Sequence, residues 1–127
     1  MERFAWVCVG GGAGSGARYL LSGWVLAKTG SGFPWGTFAV NVIGSFLLGL
    51  LMYLGLETET LSPTLRIGLT TGLMGGFTTY STFNYETMRF LQDGAWLPAT
   101  ANVLATVLVC LTAGLLGHHA GRWLVGH

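Results

Sequence analysis

The chain has 127 residues, of which 51% are hydrophobic and 9% charged, with a formal net charge of +1. A soluble domain carries roughly 25% charged residues, so the composition and the mean hydropathy of +0.58 suit a lipid bilayer as solvent. No cluster of Lys and Arg is present to neutralise a run of phosphates, which excludes nucleic acid as a partner. The two cysteines, Cys8 and Cys110, both lie in apolar stretches and read as small buried residues, not as a disulfide or a metal pair. Met1-Glu2-Arg3 is a weak basic start with no clean cleavage site behind it, so the apolar run that follows reads as retained.

Crossing a bilayer takes about 20 apolar residues. Four segments meet that length: Phe4 to Ala27, Trp35 to Leu56, Leu65 to Leu91 and Leu97 to Val125. The connections are short and carry turn residues, including Gly30, Pro63 and Asp93-Gly94. Residues 1–127 therefore read as a single all-α integral membrane domain of four transmembrane helices. So few helices enclose little volume for polar side chains, and self-association is the expectation.

In the first span, Gly12, Gly14 and Ala17 fit a dinucleotide-binding fingerprint, but no acid follows about 20 residues later to hold a ribose. Gly10 with Gly14, and Gly12 with Gly16, instead give the spacing that lets membrane helices approach closely. Arg18 is the sole charge of the span, either a functional residue or one that snorkels to the interface.

The second span repeats Asn41, Ser45 and Gly49 at four-residue intervals, and so along one face. Asn41 alone reads as glue between helices. The fourth span repeats Asn102, Thr106, Cys110, Gly114 and His118 at the same interval, and two such stripes in one small bundle suggest a wet track.

The third span is the most informative. Gly72, Gly75 and Gly76 precede Phe77 and five consecutive hydroxyl residues, Thr78-Thr79-Tyr80-Ser81-Thr82, then Phe83. Adjacent glycines and hydroxyls that compete for backbone hydrogen bonds predict a helix broken mid-membrane. Such backbone survives there only if buried by protein or lining a cavity, and its open ends offer carbonyls to cations and N–H groups to anions.

Cations fall almost evenly on the two sides: Arg3, Arg66 and Arg122 on one, Lys28 and Arg89 on the other, joined by Arg18 if it reaches the first loop. A chain without positive-inside bias inserts both ways. Two opposite copies then make an antiparallel, dual-topology homodimer, the whole-subunit form of an inverted repeat.

These residues together resemble the Fluc family of fluoride channels, also called CrcB. The resemblance covers nearly the whole chain: Gly16-Ala17-Arg18, Trp35-Gly36-Thr37 leading to Asn41, and above all Gly75-Gly76-Phe77-Thr78-Thr79-Tyr80-Ser81-Thr82-Phe83 with Glu86 beyond. It implies passive fluoride export through an antiparallel homodimer with two pores in a bacterial or archaeal inner membrane. It also implies a structural Na⁺ at the dimer centre, held by the backbone carbonyls of Gly75 and Thr78. The implied fluoride pathway comprises Asn41, Tyr80, Ser81, Thr82, Phe83, Thr106 and Cys110, with Arg18 and Glu86 at the vestibule. Tyr80 and Cys110 depart from the family's usual Phe and Ser.

A small multidrug transporter has similar length and topology but needs a carboxylate embedded in its first span, where only Arg18 is charged. Enzyme chemistry is not expected: His118, His119 and His127 gather near the C-terminus with no nucleophile and oxyanion site to join them.

Overall fold

The computed structural model describes residues 1–126, which leaves His127 outside the described residues. The first long helix, α1, runs Glu2–Thr29 and stops at Gly30, whose φ of 79° closes the cap on the Leu26 carbonyl. Helix α2 is Trp35–Leu56. Helix α3, Pro63–Ile67, starts as helices with proline at the first position do: Ser62 caps it, its Oγ accepting from Leu65 N–H at 3.2 Å. It passes into a π-helical stretch, Gly68–Met74, then the short α4, Gly75–Phe77. After Thr78 and Thr79 come α5, Tyr80–Gln92, and α6, Trp96–Leu124, joined by a turn through Gly94 at φ 72°.

The fold is all-helical, with no strand among the described residues. The expected spans end within a few residues of the observed helices, but the third is subdivided into α3, the π-helical stretch, α4 and α5. Helices α2 and α6 are long and apolar enough to cross a membrane. On α6, Leu108 and Leu111 are 60% and 63% exposed, an outward apolar surface that suits lipid and not water.

The core is small: Val40 of α2, Met74 and Phe77 of the third segment, with Leu21, Leu47, Leu51 and Leu73 around them. Several glycines bring backbone against backbone. A Cβ on Gly14 of α1 would overlap the Leu73 carbonyl, and one on Gly117 of α6 would overlap the Phe46 carbonyl of α2. Of the two glycine pairs in α1, Gly10 and Gly14 face the third segment, whereas Gly12 and Gly16 face outward.

The α2 and α6 stripes meet each other over part of their length. Gly49 is pressed against the Gly114 carbonyl, and Ser45 lies beside Gly114. That half of each stripe is a close helix seam, because small residues at matched positions remove the side chains that would hold the axes apart.

Replacing Gly117 by Val should force α2 and α6 apart and cost about 1–3 kcal/mol, the usual range for overpacking. Leu111→Val, on the exposed face of the same helix, serves as the control. Thermal unfolding in detergent should show a lower midpoint for the glycine variant only; equal midpoints would mean the seam contributes nothing to stability.

Candidate functional site

The chain leaves helical torsions at Thr78 (φ −84°, ψ 161°) and Thr79 (φ −149°, ψ 122°). Gly75 itself is helical, at φ −61° and ψ −39°, so the interruption falls on the threonines and not on the glycine pair. Branching at Cβ suits Thr to extended backbone. Thr79 supplies a hydrogen bond that the interruption removes, whereas Thr78, whose N–H still reaches the Met74 carbonyl at 3.0 Å, adds a second bond to that carbonyl. Thr78 Oγ1 donates back to the Met74 carbonyl at 2.9 Å. Thr79 caps α5, its Oγ1 accepting from Thr82 N–H at 3.2 Å and bonding to Thr82 Oγ1 at 3.1 Å.

Asn41 grips the interruption from α2. Its Nδ2 donates to the Thr79 carbonyl at 2.9 Å, while Thr79 N–H donates to its Oδ1 at 2.8 Å. In a continuous helix that N–H would close on the carbonyl four residues earlier, that of Gly75. Asn41 therefore holds Thr79 and releases the Gly75 carbonyl, on a residue that is exposed in a single copy. One amide hydrogen of Asn41 serves this clamp, and the other is left over as a donor. The adjacent Gly76 carbonyl accepts from Arg18 Nε of α1 at 3.0 Å, so Arg18 turns inward and does not snorkel away.

Beside the interruption lies a cavity of about 830 Å³ between α1, α2 and α5, lined in part by Arg18, Thr37, Thr79, Thr82 and Glu86. Thr37 is buried beside the Glu86 carboxylate, whose Oε1 is buried with no hydrogen-bond partner among the described residues. Two ionisable groups of opposite sign thus share one cavity in an apolar bundle.

Of the residues singled out in the sequence, Arg18, Thr82 and Glu86 line this cavity together, and Asn41 touches it through Thr79. Tyr80 is 76% exposed, with its ring centroid 5.8 Å from that of the buried Phe83. Ser81 is exposed beside it. Thr106 lies elsewhere, in a buried relay between α6 and α5. Its Oγ1 bonds Asn102 Oδ1 at 3.5 Å, Asn102 Nδ2 donates to Thr87 Oγ1 at 2.9 Å, and Thr87 Oγ1 donates to the Phe83 carbonyl at 2.9 Å. Cys110 is half-buried within bonding reach of Ser45.

Sequence reasoning passed over Thr37, Thr87 and Thr79 itself as site residues. Thr37 was findable, since it stands four residues before Asn41 and extends the same stripe. Thr87 and Asn102 are far apart in sequence and meet only through the packing of α5 on α6. Among the described residues no group of three or more His, Cys, Asp or Glu side chains is placed to hold a metal. The backbone oxygens near the interruption are the alternative donors, and the released Gly75 carbonyl is of the right type for a hard cation.

Residues 5–118 match the model of the family described as CrcB-like protein, Camphor Resistance (CrcB). A protein of Sorangium cellulosum (strain So ce56) named "Fluoride-specific ion channel FluC" is 54% identical over 125 residues, covering 98% of each chain. Its namesake in Geotalea daltonii is 51% identical over 124 residues, covering 98% of this chain and 100% of the relative. A third of that name, in Geobacter metallireducens, is 55% identical over 114 residues, covering 90% of this chain and 92% of the relative.

Substituting Asn41 by Leu keeps the size but leaves the partly buried Thr79 N–H and C=O unanswered, at a cost of up to about 1–3 kcal/mol for each orphaned group. The variant should unfold at a lower temperature than the parent in detergent. Asn41→Asp, which keeps the acceptor for Thr79 N–H, should recover part of the loss. An unchanged midpoint for Asn41→Leu would show the clamp to be idle.

Proposed function

The chain belongs to the CrcB family, and on that premise we propose that it is a fluoride-specific ion channel, passive and not an enzyme, that lowers cytoplasmic fluoride. The observation that carries the proposal is the clamped interruption at Thr78–Thr79 beside a cavity holding Arg18 and Glu86, in a chain about half identical to proteins named as fluoride channels. Fluoride is small, strongly hydrated and a strong hydrogen-bond acceptor. A pathway for it must supply donors in place of water, yet bind weakly enough for the ion to leave. The remaining Asn41 N–H and the Ser81 and Thr82 hydroxyls are such donors. The rings of Tyr80 and Phe83 offer positive edges, and Thr106 and Cys110 extend the path along α6. Arg18 and Glu86 sit at its vestibule.

One copy is incomplete. Gly75, Tyr80 and Ser81 are exposed next to interrupted backbone, and at membrane depth such backbone must be covered by protein or line a cavity. A second copy covers it best, and the near-even cations favour opposite orientation, so the assembly is an antiparallel homodimer, multi-pass in a bacterial or archaeal inner membrane. Arg18 is engaged inside the bundle, which leaves Arg3, Arg66 and Arg122 against Lys28 and Arg89. In this dimer the Gly75 and Thr78 carbonyls of both copies would hold a structural Na⁺ at the centre. Two oxygens from one chain are too few to replace a hydration shell, which is why the site needs both. The ion would supply a fixed positive charge near the anion path.

Purified protein in liposomes should release fluoride when a potassium ionophore relieves the voltage, as read by a fluoride electrode, and release chloride far more slowly. Equal rates for the two anions, or strict dependence on a proton gradient, would refute the channel. Antiparallel assembly is tested separately with Lys28→Cys and Glu59→Cys, both at exposed positions, in a background lacking Cys8 and Cys110. An impermeant maleimide should reach each site from both sides of the membrane. Labelling from one side alone rules out dual topology.

A further inference from the structure

Resting on the fluoride-channel reading, we propose that Arg18 is a positioning residue whose Nε replaces a missing helix N–H at the Gly76 carbonyl and so fixes the interruption in its conducting shape. In an uninterrupted helix the Gly76 carbonyl would accept from the N–H of Tyr80, four residues on. The extended torsions of Thr78 and Thr79 separate those groups. Arg18 Nε donates to the Gly76 carbonyl instead, at 3.0 Å and with the added strength of a charged donor.

The approach is built into α1. Gly10, Gly14 and Arg18 follow at four-residue spacing and lie along one ridge. Gly10 rests against Gly68 and Gly72, and Gly14 against Leu73 and Phe77, so Arg18 is delivered to the next turn, where the third segment opens. Helix α1 is held against that opening by contacts too close for any side chain, and the Arg18 stem spans the remaining gap. Among the described residues Arg18 makes no ion pair, although Glu86 lines the same cavity beside Thr37. The bond that the guanidinium makes in this fold is therefore the one to the Gly76 carbonyl. Two neighbouring carbonyls freed by the interruption have different fates: that of Gly76 is tied to α1, and that of Gly75 is left open to a partner.

The competing role is electrostatic, an Arg that draws anions into the cavity by its charge alone. Substitutions separate the two, because Gln places Nε2 the same number of bonds from Cα as Arg places Nε. Arg18→Gln keeps the donor and loses the charge, Arg18→Met loses both, and Arg18→Lys keeps the charge but puts a methylene where Nε stood. Positioning predicts that fluoride efflux stays within about threefold of the parent for Gln and falls by about tenfold or more for Met and Lys, the scale of one buried hydrogen bond. The loss should lie in the maximal rate. The half-saturating fluoride concentration should move less than about twofold and should not depend on ionic strength, since charge-driven recruitment is screened by salt. Gel filtration of each variant checks assembly. If Met does not assemble, Lys against Gln decides. Lys conducting like the parent, Gln failing like Met, or a salt-dependent rise in half-saturation overturns the proposal. The parent's own fluoride efflux, run in parallel, tests the channel reading independently.

Discussion

Everything near the site follows from one constraint: backbone that leaves the helix inside an apolar bundle must have its N–H and C=O groups answered by protein or line a cavity. Thr78 and Thr79 leave it, and three elements answer. Asn41 of α2 takes both polar groups of Thr79, Arg18 of α1 takes the Gly76 carbonyl, and Thr79 caps the helix that resumes at Tyr80. The interruption is thus pinned from two sides at defined atoms, which is the opposite of a loose kink.

Such pinning works only if the helices that carry the pins come close. Glycine achieves this where a bilayer supplies no hydrophobic force between apolar helices, by letting backbones touch and dispersion act. Gly14 brings α1 onto the third segment, and Gly117 brings α6 onto α2. The upstream end is tied in the same manner, with Arg66 Nη1 on the Gly55 carbonyl at 3.2 Å and Thr70 Oγ1 on the Arg66 carbonyl at 2.8 Å. Between these ties and the interruption the chain is π-helical from Gly68 to Met74. A π-helix is rare beyond a single turn and tends to accompany functional sites. Here it leads into Gly76, which lies against Gly11 of α1, and Gly75, which is exposed.

Polar residues in this bundle do two kinds of work that their spacing alone does not separate. Ser45, Gly49 and Gly114 belong to a close seam, whereas Asn41, only one turn from Ser45, holds interrupted backbone and keeps a hydrogen to spare. Thr106 and Asn102 join a buried relay ending on the Phe83 carbonyl, which couples α6 to the helix bearing the exposed ring of Tyr80. In the proposed channel, a fluoride path built on such groups would be lined by donors already oriented by other bonds. Orientation limits how tightly they close on the ion, in keeping with conduction over capture.

The sequence by itself determined the solvent, the four helical segments and the family, because hydrophobic length and the Gly75–Phe83 motif are local properties that a single strand of text carries. It also marked the third segment as the place where regular structure gives way, since hydroxyls compete for backbone bonds wherever they occur in a run. It did not say which residues the interruption would fall on; the glycines were the apparent weak point, yet Gly75 stays helical and Thr78 and Thr79 extend. That choice was made by Asn41, 38 residues away, whose amide matches the two polar groups of Thr79. Spacing left Arg18 divided between the interface and the interior, and only the approach of α1 through Gly10 and Gly14 turned it onto Gly76. The separation of the stripes into close seam and polar relay was likewise tertiary. A periodicity shows which residues share a face, but what that face meets depends on contacts between helices distant in sequence.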